Sequence, residues 1–333
     1  MTAVEPSANH ATQHAANPAA ERADAPAAPA APAQPTDDTD APLAGVSALA
    51  AASQVTRHEV IAQVLREALP YMETLRGQMI VIKLGGSALA YQRDVLEDVI
   101  WLHRLGARPV LAHGGGQEID RWLDRLGLQR RFHNGLRVTD AETLDVVRMT
   151  LVGKVNSELT QGITLLGGRA VGLSGLDGGL LRARPLAPEL GYVGMVEEVN
   201  PGAIEALVTA GYIPVIAPLA LGLDGQALNV NADDAAADLA RGLRATKLIY
   251  ISNVPGILDN TGKLLSALTV SQTRRLIADG VIQGGMIPKA EACLRALDTI
   301  QRVHIVDGRE PHALIRELFT DAGAGTMIER EEN

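Results

Sequence analysis

Short apolar runs that alternate with helical patterns are the feature that most restricts how this chain can fold. The runs lack a regular alternation of apolar and polar residues, which is typical of strands buried on both faces of a sheet. Strands separated by helices usually run parallel, because each helix returns the chain across the sheet. The sequence therefore predicts an α/β fold with a covered, mostly parallel sheet. The runs are MIVIKL (79–84), RPVLAH (108–113), RAVGLSG (169–175), YIPVIAPL (212–219), TKLIYIS (246–252) and QRVHIVD (301–307).

The first part of the chain has a different composition. Residues 1–52 are rich in alanine and proline, as in APAAPAAPAQPTDDTDAP, and contain few large apolar side chains. Such a segment cannot bury enough apolar surface to offset the entropy lost on ordering, so we predict that it is disordered. It lacks the apolar centre of a secretory signal, and its acidic residues with Arg22 as the single base are atypical of a transit peptide.

Residues 53–77 are predicted to form an amphipathic helix. Thr56 and Glu59 have the spacing of a capping box, and Pro70 is expected to kink or divide the helix. The apolar side chains either cover the core of their own chain or contact another copy in an oligomer. We assign this helix to an oligomer contact. These side chains are Val60, Ile61, Val64, Leu65, Ala68 and Leu69.

Charge and cysteine content restrict the cellular setting. The formal net charge of −9 disfavours a general nucleic-acid surface. The single cysteine, Cys293, excludes an intrachain disulfide and fits a reducing compartment. Its position in a helical pattern favours a small buried side chain over a reactive thiol. No uninterrupted apolar run approaches the ~20 residues of a membrane helix. We therefore expect a cytoplasmic protein that binds neither nucleic acid nor membrane.

Glycine-rich turns follow several of the predicted strands. Ligands of parallel sheets bind where the strands end, and a glycine turn that leads into a helix offers N–H groups to an anion. One such turn is weak evidence because tight turns need glycine anyway, but several at one sheet edge predict a phosphate site. The turns contain Gly85 and Gly86; Gly114, Gly115 and Gly116; Gly172, Ser174 and Gly175; and Ser252, Asn253 and Gly256.

Several common site motifs are missing from the sequence. The chain has no Walker-type P-loop, and GGGQEI does not have the register of a dinucleotide-binding turn. Its eight histidines are scattered, with no HExxH or paired-cysteine spacing, which makes a zinc site improbable. Ser174 lies in GLSG, which is not the nucleophile elbow of a serine hydrolase.

Four charged residues are candidates for phosphoryl transfer, which requires positive charge and precise placement. Lys83 ends a strand, and Lys289 begins a helix, where the dipole disfavours a cation unless an anion lies nearby. Asp233 either orients these two lysines or serves only as a helix N-cap. Arg137 either pairs with a carboxylate or is an exposed loop residue. Lys289 could likewise be a simple surface lysine.

From about residue 68 to residue 329 the chain resembles the amino acid kinase family. The individual motifs are short, but their set and their order are highly specific. The resemblance implies an α/β/α sandwich of three layers around an open, mostly parallel eight-stranded sheet. The motifs are VIKLGGSAL, AHGGGQEI, NGLRVTDAETLDVV, LVGKVNSEL, AVGLSG, GYVG, NVNAD, GGMIPK, VHIVDGREPHALIRELF and GTMI.

The resemblance implies roles for individual residues. Lys83 and Lys289 would stabilise the charge on the transferred phosphoryl group, and Asp233 would organise both lysines. Residues 78–244 would form an N-lobe for the acyl amino acid, and residues 245–333 a C-lobe for ATP with Mg²⁺, with no protein side chain on the metal. The expected substrate-binding residues are Gly115, Gly116, Arg137 and Asn229. The expected nucleotide-binding residues are Gly85, Gly86, Ser252, Asn253, Gly256, Leu258, Gly285 and Met286.

Within the family, the motifs are most similar to those of members that phosphorylate the side-chain carboxylate of N-acetyl-L-glutamate, the second step of arginine biosynthesis. LSGLDG and ISNVPG also resemble sister kinases that act on carrier-linked α-aminoadipate or glutamate. A third alternative is a non-catalytic sensor of amino acid and nucleotide, which the retained lysines argue against. The helix at 53–77 resembles that of hexameric members inhibited by arginine, so a hexamer, built as a trimer of dimers, and arginine feedback are expected.

Overall fold

The structure is a computed structural model that describes residues 56–85, 92–320 and 323–331. The described residues from 61 onward belong to one compact unit. The predictions for residues 1–52, for the first part of the predicted helix (53–55) and for Gly86 lie outside the described residues. Within the described ranges, no helix is both long and apolar enough to cross a membrane.

Strands and helices alternate along the chain, as the sequence predicts. The strands are β1 (Met79–Leu84), β2 (Arg108–His113), β3 (Phe132–His133), β4 (Leu136–Arg137), β5 (Ala170–Ser174), β6 (Leu181–Pro185), β7 (Val193–Val199), β8 (Ile213–Ala217), β9 (Leu219–Gly222), β10 (Ala227–Val230), β11 (Lys247–Ser252), β12 (Ala267–Thr269), β13 (Arg302–Asp307) and β14 (Gly325–Glu329). The helices are α1 (Arg57–Leu75), α2 (Gln92–Arg104), α3 (Gly116–Leu126), α4 (Ala141–Arg148), α5 (Ser157–Leu165), α6 (Gly202–Thr209), α7 (Ala232–Gly242), α8 (Val270–Ala278), α9 (Met286–Ala296) and α10 (Ala313–Phe319).

The central sheet of the described chain has eight strands in the order β12-β14-β13-β11-β1-β2-β8-β5. From β13 to β5 all neighbouring strands are parallel, and β14 pairs antiparallel with β13. The expected open and mostly parallel eight-stranded sheet is therefore confirmed. Because β1 lies between β11 and β2, one sheet joins the two predicted lobes. The assignment of the acyl amino acid to the N-lobe and of ATP to the C-lobe stays a prediction.

Two hydrophobic layers cover the sheet. One face packs against α2, α5 and α10, and the opposite face packs against α7 and α9. Alternate residues of one strand reach the two layers: Ile80 and Ile82 face the first, and Val81 faces the second. This pattern confirms the three-layer α/β/α sandwich and shows why the strand sequences are apolar throughout.

A small barrel was missed by the sequence reasoning. Strands β6, β7, β9 and β10 close into a four-stranded barrel, and β3 and β4 form a separate hairpin. In β6 the buried Leu181 and Ala183 alternate with the exposed Arg182 and Arg184. This period of two is a signal for a half-buried strand that could have been found in the sequence.

Helix α1 confirms the helical prediction and the Thr56 cap, since Glu59 accepts a bond from the Thr56 N–H. It continues through Pro70, so this proline does not divide the helix, and the alternative of a kink stays a prediction. Leu75 is buried in the core, whereas Val64, Leu65 and Leu69 are more than half exposed. Those three side chains therefore do not cover the core of the described chain.

Candidate active site

Strand β1 carries Lys83 into the interior of the protein. Side chains two residues apart point to the same face of a strand, so Lys83 follows Val81 toward the layer formed by α7 and α9. In the register of the sheet, Lys83 lies beside Ala112 of β2 and Tyr250 of β11. The lysine side chain is 8% exposed, and burial of an ammonium group is costly unless an anion lies close.

Asp233 supplies that anion and connects two lysines. Lys83 Nζ lies 2.5 Å from Asp233 Oδ1, and Lys289 Nζ lies 2.9 Å from Asp233 Oδ2. Lys289 is in the first turn of α9, as predicted, and its ammonium group also lies 5.1 Å from the centre of the Tyr250 ring. The structure thus brings together the three residues singled out for phosphoryl transfer.

The position of Asp233 is set by the start of α7. Asn231 is the N-cap of this helix, and its side chain accepts bonds from the N–H groups of Asp233 and Asp234. The interpretation of Asp233 as a mere N-cap was therefore wrong, and its carboxylate is available to the lysines. The Tyr250 hydroxyl donates to the Asp233 carbonyl at 3.0 Å, which ties the helix start to β11. Asn231 was missed, although asparagine before a helical pattern is a recognised capping signal.

Burial and charge oppose each other in this cluster. Burial lowers the pKa of Lys83, and the Asp233 charge opposes that shift. Burial alone would raise the pKa of Asp233, but the charges of Lys83 and Lys289 hold it well below its ordinary value. Asp233 is therefore ionised at neutral pH. Two cations share one anion here, so the cluster is suited to receive a further anion.

Next to Lys83, β2 ends in the glycine turn Gly114–Gly116 and α3 begins. A Cβ atom on Gly115 would lie 2.6 Å from Leu151 Cδ2, so any larger residue would require the Leu151 side chain to shift. The Gly115 backbone is extended, with φ 177°, and the turn opens onto a cavity. Backbone N–H groups at a helix start can hold an anion, so this position supports the predicted role of Gly115 and Gly116.

Arg137 lies on the β3–β4 hairpin over the same cavity. Its Nη2 atom is 2.8 Å from Asp120 Oδ1 and donates to the Gly116 carbonyl at 3.2 Å. Its Nη1 atom is buried and has no hydrogen-bond partner among the described residues. The guanidinium also lies 4.8 Å from the centre of the Phe132 ring. Arg137 is thus a largely buried cation with a free donor, which excludes an exposed loop residue. Asp120 was missed, and no sequence pattern pointed to it.

A cavity of about 250 Å³ connects these groups. Asn229 lines it from β10 and donates through Nδ2 to Thr139 Oγ1 at 3.1 Å. The cavity combines one apolar wall with donors and cations, as small-molecule sites commonly do. The apolar wall is formed by Ile119, Phe132, Leu136, Leu151, Val193 and Pro218, and the predicted site residues in the lining are Lys83, Gly115, Gly116, Arg137, Asn229 and Asp233.

Those predicted nucleotide-binding residues that the structure describes lie outside the lining of this cavity. Ser252 ends β11, and Gly285 and Met286 begin α9, the helix of Lys289. Gly256 has φ 140°, a conformation that favours glycine. Leu258 forms an isolated bridge with Leu264, and Asn253 is exposed. The Gly85 N–H donates to the Ile251 carbonyl at 3.0 Å, so the sheet already uses this donor. The nucleotide assignment stays a prediction.

The turn after β5 is closed by its own side chains. Asp177 accepts bonds from both the N–H and the hydroxyl of Ser174. A Cβ atom on Gly175 would lie 2.0 Å from the Leu219 carbonyl oxygen. This turn therefore serves the connection to the barrel.

Comparison with known sequences decides the family. The sequence model described as "Amino acid kinase family" matches residues 78–307. The chain belongs to the amino acid kinase family.

Related members of this family with curated names are acetylglutamate kinases. The protein of Parasynechococcus marenigrum is 51% identical over 274 residues, which are 80% of this chain and 94% of that protein. The acetylglutamate kinase of Moorella thermoacetica is 47% identical, over 80% of this chain and 96% of that protein. That of Synechococcus elongatus is 48% identical, over 80% and 91% of the two chains.

Solved structures show the same family fold. N-acetylglutamate synthase from Neisseria gonorrhoeae, complexed with coenzyme A and N-acetyl-glutamate, superposes with a TM-score of 0.73 at 28% identity. The match covers 82% of this chain and 64% of the synthase. The same synthase complexed with coenzyme A and L-arginine gives a TM-score of 0.71 at 26% identity, over 81% and 65% of the two chains. Carbamate kinase from Giardia lamblia bound to AMP-PNP gives 0.59 at 16% identity, over 77% and 99%, and supports the fold alone.

The donor set does not form a metal centre. Among the described residues, no group of three or more histidine, cysteine, aspartate or glutamate side chains could hold a metal ion. Asp233, the carboxylate nearest the two lysines, has an ammonium group on each oxygen. A Mg²⁺ ion held by protein commonly needs one or two free carboxylates beside phosphate oxygens. The side chains of this site therefore do not fit a Mg²⁺ ion held by the protein.

Proposed function

We propose that the protein transfers the γ-phosphoryl group of ATP to the side-chain carboxylate of N-acetyl-L-glutamate, giving N-acetylglutamyl 5-phosphate for arginine biosynthesis. The observation that carries this proposal is the pair of lysines on one buried aspartate, beside a glycine turn and a cavity with a free arginine donor. Relatives that are 47–51% identical to this chain carry the curated name acetylglutamate kinase, which supports the same substrate.

The cavity provides complementary groups for each part of N-acetylglutamate. The free Nη1 donor of Arg137 would bind the α-carboxylate, as a guanidinium binds carboxylates well. Asn229, already oriented by Thr139, would bind the acylated amino group. The acceptor carboxylate would then lie toward Lys83 and the N–H groups of Gly115 and Gly116. The apolar wall would take the methyl group of the acetyl moiety.

The chemical step needs charge stabilisation more than proton transfer. A carboxylate is ionised at neutral pH, so no general base is needed. Its oxygen bonds to the γ-phosphorus of ATP while the bond from that phosphorus to the bridging β-phosphate oxygen breaks, and ADP leaves with the electron pair. Negative charge on the phosphoryl oxygens would be stabilised by Lys83 and Lys289, which Asp233 holds in place. Positively charged groups fixed in a buried site contribute strongly, because they need no reorganisation during the reaction. ATP would bring Mg²⁺ on its own phosphates, and no step here depends on a protein ligand to that ion.

The proposed nucleotide site lies on the C-lobe side of Lys289. Ser252, Asn253, Gly256 and Leu258 would contact ATP from the end of β11. Gly285 and Met286 would contact it from the start of α9, where the helix dipole favours phosphate. This arrangement would place Lys289 between nucleotide and acceptor.

We also propose a hexamer in which α1 contacts another copy of the chain. Three of its apolar side chains, Val64, Leu65 and Leu69, are more than half exposed. Feedback inhibition by arginine is proposed on the likeness to the synthase that was solved with L-arginine. Cytoplasmic location stays a prediction from the sequence. A variant without residues 1–75 that keeps the hexameric mass would contradict the α1 contact, and undiminished activity at millimolar arginine would contradict feedback.

A coupled assay of ADP release with free N-acetyl-L-glutamate tests the main proposal. We expect ADP release that depends on both substrates. Absence of turnover with the free acyl amino acid, together with turnover of a carrier-linked glutamate or α-aminoadipate, would overturn it. Nucleotide binding without turnover of any of these acceptors would identify a sensor instead.

A further inference from the structure

His113 is a fully buried histidine at the end of β2, directly before the glycine turn. Its Nδ1 atom lies 2.9 Å from the Gly114 carbonyl oxygen, and its Nε2 atom lies 3.1 Å from Asn156 Nδ2. The same amide nitrogen lies 2.9 Å from the Val215 carbonyl oxygen and 3.2 Å from that of Leu173. Because both carbonyls accept, the nitrogen of the Asn156 amide must face them and His113.

These contacts fix one tautomer of His113. The Asn156 amide nitrogen shares its two protons among three acceptors and cannot itself accept, so a proton on Nε2 of His113 would have no acceptor there. The Gly114 carbonyl only accepts, so the ring proton resides on Nδ1. Nδ1 then donates to the Gly114 carbonyl. Burial, aided by the charge of Lys83, lowers the pKa of His113 to about 4, so the ring is neutral at physiological pH.

The surrounding fold leaves little freedom to Asn156. It is the last residue of a π-helical segment, Met149–Asn156, between α4 and α5. A Cβ atom on Gly172 would lie 1.9 Å from Asn156 Oδ1, so a glycine at this position of β5 makes room for the amide. π-helical segments often occur at functional sites. Here the segment also supplies Leu151, the residue that covers Gly115.

The Gly114 carbonyl determines the direction of the next N–H group. In a planar trans peptide the carbonyl of one residue and the N–H of the following residue point in opposite directions. The described chain has no cis peptide bond, and the Gly114 carbonyl faces His113. The Gly115 N–H therefore points away from the imidazole, and Gly115 lines the cavity.

We infer that His113 is a positioning residue that orients the Gly114–Gly115 peptide toward the transferred phosphoryl group, with its tautomer fixed by Asn156. The inference rests on the proposed function, because that function puts a phosphoryl group or acceptor carboxylate at the Gly115 N–H. His113 itself contacts neither substrate and exchanges no proton. Its contribution is the fixed direction of one backbone donor.

Two substitutions of His113 distinguish the contribution of Nδ1 from that of Nε2. The amide nitrogen of His113→Asn lies about where Nδ1 lies and can donate to the Gly114 carbonyl. The amide of His113→Gln reaches about as far as Nε2 and can pair with Asn156, but leaves the carbonyl without its donor. A misplacement of about 1 Å in a site can cost about 100-fold in rate. We expect kcat of His113→Gln to fall about 10- to 100-fold, with KM for both substrates changed much less, and His113→Asn to recover most of that loss. Equal losses in both folded variants, or a loss confined to KM, would overturn the inference.

The tautomer can be read directly in the full-length wild-type protein by ¹⁵N NMR of its histidines, with His113 assigned from the His113→Asn spectrum or, if that variant does not fold, from backbone correlations. We expect a protonated Nδ1 and a bare Nε2 across neutral pH. A protonated Nε2 would overturn the inference even if neither variant folds. Failure of the proposed function would be seen separately, as a wild-type protein with the expected tautomer and no ADP release with N-acetyl-L-glutamate.

Discussion

Lys83 and Lys289 come from opposite ends of the described chain, yet each contacts a different oxygen of the Asp233 carboxylate. The strand of Lys83 is at the centre of the sheet, and Lys289 begins a helix packed on one face. Their meeting therefore depends on the packing of α7 and α9 against β1. This packing leaves a net positive charge at the end of the central strands, where parallel sheets bind their ligands.

Replacing Lys289 by alanine should remove one cation from the transferred phosphoryl group. We expect kcat to fall about 10²- to 10³-fold, equivalent to about 2.7–4 kcal/mol of transition-state stabilisation, as for removal of one oxyanion donor. Steady-state ADP release measures the effect. Lys263→Ala removes an exposed lysine and should leave kcat nearly as in wild type. Comparable rates for the two variants would contradict a catalytic role of Lys289.

Asp233→Asn should reduce stability in a pH-dependent way. The pKa of Asp233 is lowered on folding, so its contribution is full above the unfolded pKa of about 3.9 and is lost as pH falls below it. At pH 7 the variant leaves two buried cations without an anion, and we expect a loss of about 3–5 kcal/mol. Urea unfolding measures the free energy of unfolding of wild type and Asp233→Asn. The difference between the two proteins should be smaller below pH 4 than at pH 7.

The neighbouring Asp234 offers a matched control for that measurement. Its partly exposed carboxylate pairs with Arg295 at the surface. Asp234→Asn should change the free energy of unfolding by no more than about 1 kcal/mol at pH 7. If both variants lose the same stability, or if the loss in Asp233→Asn is independent of pH, the buried ion cluster does not contribute as described.

The sequence pattern predicted the strands of the sheet more completely than it predicted the contacts within the site at the edge of the sheet. The central strands were found because both of their faces are buried, which leaves continuous apolar runs. The location of Lys83 at a strand end followed directly, as did that of the turn at Gly115. The contact between Asp233 and Lys289 spans 56 residues. No periodicity reports a contact over such a distance, so the residue pattern left this contact as one of two alternatives, and the family resemblance favoured it.

Other parts of the site escaped prediction for physical reasons. The alternating pattern of β6 covers only five residues and runs into PLAPELGYVG, a segment rich in proline and glycine, so the barrel strands were overlooked although their period of two is present. Asn156 lies in the consecutive helical segments from α4 to α5, where its side chain gives no periodic signal. The space it occupies is reflected in the sequence as a glycine in β5, at position 172.

Arg137→Lys should weaken binding of the acyl amino acid more than it slows chemistry. Lysine has no planar pair of donors and cannot keep Asp120 while it binds a carboxylate. Hydrogen bonds to charged groups contribute about 1.5–3 kcal/mol, so KM for N-acetyl-L-glutamate should rise about 10- to 100-fold. The KM for ATP should change little. Arg131→Lys, at a surface pair with Asp140, is the matched control. An equal rise in both KM values would show a general disturbance of the site.

Gly172→Ala should disturb Asn156 without touching the cavity. The new Cβ atom would lie 1.9 Å from Asn156 Oδ1, and the amide must move to relieve the clash. We expect a stability loss of about 1–3 kcal/mol, the usual cost of overpacking, together with a fall in kcat as His113 loses its partner. Gly153→Ala, in the π-helical segment, meets no atom within 4 Å and should be neutral or stabilise by up to about 1 kcal/mol. Thermal unfolding and ADP release of both variants check this. A Gly172→Ala protein as stable and active as Gly153→Ala would show that the amide of Asn156 is not held in place by β5.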